Sequence, residues 1–210
     1  MERVCHAIDL RQSASVADEM SSLLDAREQA HAQGRHDVAA RRYVVAHGAL
    51  RLVLAEHLDV APASLRFTRT CAVCGSREHG RPDVEGVDGF SFSLSHSGDT
   101  AIVAVAPERV GVDVEEVRAR RYLEQVARRT MDDAEYERWR ARRQPERARA
   151  FLETWTAKEA YLKMLGVGLT RPLREVGVTG AHTWTDWPGG CVTSVVATTA
   201  GEWTCATGLP

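Results

Sequence analysis

Between Phe90 and Ser95 apolar and hydroxyl side chains alternate without a break: Phe90, Phe92 and Leu94 on one face, Ser91, Ser93 and Ser95 on the other. A period of two predicts a strand with one face in a core. Ser97-Gly98-Asp99 has turn chemistry, Thr100 to Ala106 is a second strand, and Pro107-Glu108-Arg109 turns the chain into a third, Val110 to Val117. Upstream, Val4 to Leu10 predicts a short strand, and the polar stretch from about Ser15 to Gln33, closed by Gly34, predicts helix. From Asp37 to Leu58 the positions Val38, Val45, Leu52, Val53 and Leu54 recur at helical spacing, with Asp37 as N-cap and Pro62 as a stop. Arg69 to Asp88 is irregular and reads as loop. Downstream, Arg120–Arg129, Asp132–Arg142 and Pro145–Leu165, closed by Gly166, read as helices. Cys191–Thr198 and Trp203–Thr207 read as short strands.

The order strand, helices, strands therefore occurs twice, with the join near Pro107 to Val110. An α+β fold of two similar subdomains, residues 1–107 and 108–210, is the expectation.

Composition narrows the class. The 210 residues are 44% hydrophobic and 27% charged, as in an ordinary packed soluble protein. No apolar run approaches the roughly 20 residues of a membrane span. Glu2, Arg3, His6 and Asp9 leave no signal-peptide core, so a cytoplasmic protein is expected. A net charge of −2 argues against duplex DNA as a partner. Five cysteines, of which only Cys71 and Cys74 are close, do not make a secreted disulfide framework. Lysine occurs at Lys158 and Lys163, five apart, in a chain that otherwise uses arginine.

Four constellations could carry chemistry. In Gly111-Val112-Asp113-Val114-Glu115, residues two apart share a strand face, so Asp113 and Glu115 project together while Val112 and Val114 face the core. Adjacent carboxylates repel unless a cation neutralises them, and hard oxygen donors suit magnesium. Taken alone, a solvated acidic strand is the commoner arrangement. In the helix Phe151 to Lys163, Trp155, Glu159 and Lys163 are spaced by four along one face, and Lys158 interrupts the apolar stripe. An exposed Glu159–Lys163 pair and a snorkelling Lys158 would explain these residues without function. Ser95-His96-Ser97-Gly98 places His96 on the core side of a strand terminus, where a loop opens onto a ligand or where the ring is simply structural. No Gly-x-Ser-x-Gly elbow or phosphate-cradling glycine loop is present. Cys71, Cys74 and His79 could ligate zinc, but a fourth ligand is missing nearby.

Taken in order, Ser95-His96-Ser97, Gly111-Val-Asp113-Val-Glu115 and Trp155-Thr-Ala-Lys158-Glu159-Ala-Tyr-Leu-Lys163 resemble the signatures of 4′-phosphopantetheinyl transferases. The motif-bearing stretch runs from about Arg27 to Leu169. Its length resembles the Sfp-like type, not the short trimeric holo-acyl-carrier-protein synthases. The resemblance implies a pseudo-twofold pair of subdomains, with the coenzyme A 3′-phosphate and adenine on the first and the metal-binding, catalytic helix on the second. It implies transfer of phosphopantetheine from coenzyme A to a serine of an apo acyl or peptidyl carrier protein, with release of 3′,5′-ADP. Asp113, Glu115 and Glu159 would bind magnesium. Lys158 and Lys163 would lie beside the phosphates, and His96 at the nucleotide end. Arg42 and Arg51 fall in the helix where the family places basic contacts, and Arg42, Tyr43 and Arg27 match the 3′-phosphate side. Gly80-Arg81-Pro82 matches the family's Gly-Lys-Pro, making Arg81 a further coenzyme A contact, with Ser95 beside it. The serine proton would go to Glu159 or to a metal-bound water. A monomer serving polyketide or nonribosomal peptide carriers is expected. A non-catalytic coenzyme A or carrier-protein binding module, or another magnesium-dependent phosphotransferase, is the alternative.

Overall fold

The computed structural model describes residues 2–209 except Ala72, Glu78, His79, residues 119–121, Leu169, Thr179 and residues 188–189, and gives no side-chain account of Pro145 or residues 185–187. The fold is α+β. A four-stranded sheet has the order β4-β5-β1-β9, from β1 (Val4–Asp9), β4 (Ser91–Ser97), β5 (Thr100–Ala106) and β9 (Thr204–Thr207). A three-stranded sheet has the order β6-β8-β7, from β6 (Val110–Glu116), β8 (Cys191–Ala197) and β7 (His182–Trp187). A hairpin of β2 (Phe67–Thr70) and β3 (Arg81–Val84) stands apart from both.

The helices follow the apolar spacing, with informative departures. The stretch expected as one helix is two, α1 (Ala14–Leu23) and α2 (Ala26–Gln33), because Leu24 is extended and Asp25 starts a new helix. Asp25 accepts from the Glu28 N–H while Glu28 reaches back to the Asp25 N–H, a capping box. Helix α3 (Asp37–Leu58) has His36, not Asp37, as its N-cap. After α4 (Leu123–Thr130) and α5 (Asp133–Arg140) comes α6 (Gln144–Leu165), which ends on Gly166 in the left-handed conformation. The expected loop at 69–88 holds the end of β2 and all of β3, and β7 adds a strand that the alternation did not reveal.

Two apolar layers organise the molecule. Ile8, Val103, Val105, Phe92 and Leu94 pack against α1 and α3. On the other face Cys5, Ala7, Ile102 and Ala104 meet Val110, Val112 and Val114 of β6. The last strand pairs in parallel with β1 (Val4↔Thr204 to Ala7↔Thr207), so the division at 107/108 leaves residues 204–207 in the wrong half: their hydrogen bonds belong to the first sheet.

The seam between the two sheets places the site. β4 and β6 are not paired as a ladder. Instead the backbone N–H groups of Val110, Val112, Val114 and Glu116 donate to the hydroxyls of Ser91, Ser93, Ser95 and Ser97 at 3.1, 3.1, 3.4 and 3.2 Å. Four serines thus satisfy the free edge of β6, whose other edge pairs with β8. The hydroxyl face of the alternating strand is therefore buried, not solvated. On the opposite face of β6, α6 comes so close that a Cβ on Gly111 would stand 1.9 Å from the Ala160 carbonyl oxygen. Glycine there lets the helix press its Glu159–Lys163 face against Asp113.

Candidate active site at the seam

Asp113 is the centre. It is 6% exposed. Its Oδ1 accepts from the Ser95 hydroxyl at 2.8 Å and from the Lys163 ammonium at 2.7 Å. Lys163 also donates to Ser95 Oγ at 2.8 Å, closing a triangle of carboxylate, hydroxyl and ammonium contributed by β6, β4 and α6. Asp113 Oδ2 is buried and has no hydrogen-bond partner among the described residues. Burial raises the proton affinity of Asp113 against the pull of Lys163. Glu159, half-buried on the same helix face as Lys163, is also shifted upward, first by burial and then by the charge of Asp113, with Glu115 adding to it. Glu115 accepts from Ser97 Oγ at 3.2 Å.

Do these residues fit a magnesium ion? A buried carboxylate oxygen without a donor, beside the further carboxylates of Glu115 and Glu159, is a donor set that a hard dication would relieve. Among the described residues no three His, Cys, Asp or Glu side chains are already gathered at metal-binding distance. Lys163 meanwhile occupies the other oxygen of Asp113. The chemistry fits, although the three ligands are not drawn together.

A cleft of about 590 Å³ opens beside this triangle. Lys163 and His96 stand on its wall with Arg81, Arg69, His47 and Glu28. Arg81 is held by the Ser91 hydroxyl and, at 3.3 Å, by the Phe92 carbonyl, while its buried Nε has no partner among the described residues. Burial lowers the proton affinity of Arg81, and the nearby Arg109 adds to the effect against Asp83. His96 is pushed downward by partial burial and then by His47, Lys163, Arg35 and Arg42, so it faces a cationic surface. That surface suits an anion.

Other expected contacts stand at different distances from this cleft. Arg42 of α3 is joined to Asp99 in the β4–β5 turn, with Nε donating at 2.9 Å. Tyr43 is buried rather than lining the cleft. Its ring is stacked on His47 at 4.0 Å and covered by the Arg35 guanidinium at 4.3 Å. Arg27 lies exposed in the first turn of α2. His79 lies outside the described residues.

Two assignments are corrected. Lys158 is 1% exposed and its ammonium is fully engaged: Glu135 Oε2 at 2.6 Å, the Thr130 carbonyl at 2.9 Å and the Leu173 carbonyl at 3.0 Å. It ties α4, α5 and the turn at 173 to α6, and it cannot lie beside phosphates. Adjacent helix positions diverge by about 100°, so the position after Lys158 carries a site residue and Lys158 does not. Arg51 is wholly buried, donating to Glu28 at 2.8 Å, Asp25 at 3.0 Å and the carbonyls of Pro62 and Leu65 at 3.1 Å. It braces α2 rather than meeting a ligand. His47 and Glu28, by contrast, were not expected. They form a pair at 3.2 Å on the cleft wall, and the Asp25-to-Glu28 capping pattern was the available signal.

The comparisons with known proteins point to one family. The profile of the 4′-phosphopantetheinyl transferase superfamily matches residues 109–202, the stretch that supplies Asp113, Glu159 and Lys163. The 4′-phosphopantetheinyl transferase HetI of Nostoc sp. is 32% identical over 176 residues, covering 81% of this chain and 71% of that protein. A 4′-phosphopantetheinyl transferase of Bacillus subtilis is 26% identical over 172 residues, covering 81% and 73%. The transferase Sfp of Bacillus subtilis strain 168 is 26% identical over 143 residues, covering 68% and 60%.

Proposed function

With the chain belonging to the 4′-phosphopantetheinyl transferase family, and an enzyme of that class, we propose that it moves 4′-phosphopantetheine from coenzyme A to a serine hydroxyl of an apo carrier protein and releases 3′,5′-ADP. The observation that carries this reading is the Ser95–Asp113–Lys163 triangle with its unsatisfied Asp113 oxygen, opening onto a cationic cleft of nucleotide size. Asp113 through Oδ2, with Glu159 and Glu115, would hold a magnesium ion. When bound, that ion would neutralise charge on the pyrophosphate of coenzyme A and on the departing 3′,5′-ADP.

The chain's own residues do the rest by position. Transfer of this kind asks mainly for alignment and neutralised charge, with little covalent work from the protein. Lys163 lies between carboxylate and cleft, where its ammonium can turn from Asp113 to phosphate oxygens. Arg81 offers an unpaired N–H into the cleft wall, and His96 meets the nucleotide end. Ser95 holds Lys163 and Asp113 in register rather than binding the nucleotide itself. Tyr43 acts through the His47 ring stacked on it. Glu159, beside Asp113 at the seam, takes the proton of the attacking serine. Carriers of polyketide or nonribosomal peptide synthesis in the cytoplasm are the proposed partners of a monomeric enzyme.

The test is direct. Incubated with coenzyme A and magnesium, an apo carrier protein should gain the mass of one phosphopantetheine at its serine. No gain on fatty-acid, polyketide and peptide carriers, with folded protein, overturns the reading.

The arginines make a second expectation. A guanidinium pairs with phosphate through two parallel hydrogen bonds, which an ammonium cannot do. Coenzyme A should therefore bind more tightly than its 3′-dephospho form, by roughly tenfold for the ~1.4 kcal/mol of one charge-assisted contact. Arg42→Ala should shrink that ratio. Titration calorimetry giving equal affinities for the two ligands in the parent protein would refute the role of Arg42.

A further inference from the structure

Cys71 and Cys74 are left unused by the chemistry above, yet Cys71 lies in the wall of its cleft. Cys71 follows directly on β2, whose last residue, Thr70, pairs with Arg81. It is 7% exposed and lines the cleft beside Gly80 and Arg81. The chain turns back at once: the Gly75 N–H donates to the Cys71 carbonyl at 2.9 Å, and the Cys71 N–H donates to the Ser76 carbonyl at 2.9 Å. Gly75 has φ +70°, which permits the turn. This turn sets the two thiols against each other, with Cys74 reaching solvent and hydrogen-bonded to Cys71.

We propose that Cys71 and Cys74 are a thiol–disulfide switch that closes the ligand cleft when oxidised. The oxidant is a low-molecular-weight disulfide. The Cys71 thiolate attacks one of its sulfurs, forming a mixed disulfide and expelling one thiolate. Cys74 then loses its proton and attacks the Cys71 sulfur, forming the Cys71–Cys74 bond and releasing the second thiol. Two cysteines are oxidised, and one small disulfide is reduced to two thiols.

Selectivity follows from surroundings. The backbone N–H groups of Cys74 and Val73 point at the Cys71 sulfur and lower its proton affinity, so thiolate forms there more readily than at an ordinary thiol. Burial pushes Cys5, Cys191 and Cys205 the other way.

Closure follows from the hairpin. A bonded sulfur no longer accepts those N–H groups as a thiolate does, and a disulfide fixes the separation of the two Cβ atoms. Oxidation therefore changes the contacts that set the turn. Gly80 packs closely on the strand end that leads into it, since a Cβ there would lie 2.4 Å from the Thr70 carbonyl carbon. A shift of the turn therefore reaches Arg81, the next residue, in the cleft wall.

The inference rests on the proposed coenzyme A cleft, and the experiment separates the two. Purified parent protein is equilibrated with reduced or oxidised glutathione. Disulfide content is read by thiol alkylation and mass spectrometry, and coenzyme A affinity by calorimetry. The oxidised parent should carry the Cys71–Cys74 bond and bind coenzyme A at least about tenfold more weakly, with recovery on reduction. Cys74→Ser should stop at a single glutathione on Cys71. The Cys71→Ser/Cys74→Ser double variant should keep parental transfer and ignore the oxidant. A disulfide that forms without changing affinity, thiols that resist oxidation, or stoichiometric zinc holding the pair would each overturn the switch. If the reduced parent does not bind coenzyme A, the functional reading falls instead.

Discussion

Glu159→Gln should lower turnover by about 10²–10⁴-fold, the usual cost of losing a general base, while leaving the magnesium-free protein as stable as before or more so. The substitution keeps size and packing on α6. It removes a carboxylate whose proton affinity is raised first by burial and then by the charges of Asp113 and Glu115. The pH dependence has a definite sign. The folded Glu159 holds its proton more tightly than the unfolded chain does. Stability therefore falls as pH rises out of the ordinary carboxylate range through the raised value. The advantage of Glu159→Gln in unfolding temperature should be largest at neutral pH and vanish in acid. Near-parental turnover at saturating magnesium would remove Glu159 from the reaction.

What the sequence disclosed depended on periodicity and on motif order. The Phe90–Ser95 alternation gave β4, and period-two placement put Asp113 on the helix-facing side of β6, because both are local facts of strand geometry. The spacing of Glu159 and Lys163 by four put them on one face of α6 for the same reason. The serine face was hidden, since its partners are backbone N–H groups nineteen residues on, and no residue type announces them. β2, β3 and β7 were hidden as well. Arg81–Val84 contains Pro82 and Asp83, both poor strand formers, and is extended only because Phe67–Thr70 pairs with it. Lys158 and Arg51 misled in one way: a basic residue in a helix next to a motif reads as ligand-facing. Its burial is decided by carbonyls and carboxylates from segments distant in sequence.

Lys158→Met should therefore damage stability, not catalysis. The ammonium is 1% exposed and its partner Glu135 only 18%, so the variant leaves a carboxylate without its cation and the carbonyls of Thr130 and Leu173 without a donor. Breaking a buried pair from one side costs about 3–5 kcal/mol, which for a chain of this size lowers the unfolding temperature by roughly 10 °C. Methionine fills much of the lysine stem's volume, so the loss reports polar groups left unsatisfied, with little cavity contribution. Glu135 also accepts from the Asp132 N–H at 2.9 Å, a cap that glutamine can keep through its side-chain carbonyl. Adding Glu135→Gln to Lys158→Met should accordingly recover part of the loss, because the unpaired charge is gone while α5 stays capped. At a temperature where Lys158→Met is folded, its affinity for coenzyme A should match the parent. A variant that melts like the parent but binds coenzyme A weakly, or turns over slowly, would return Lys158 to the phosphates.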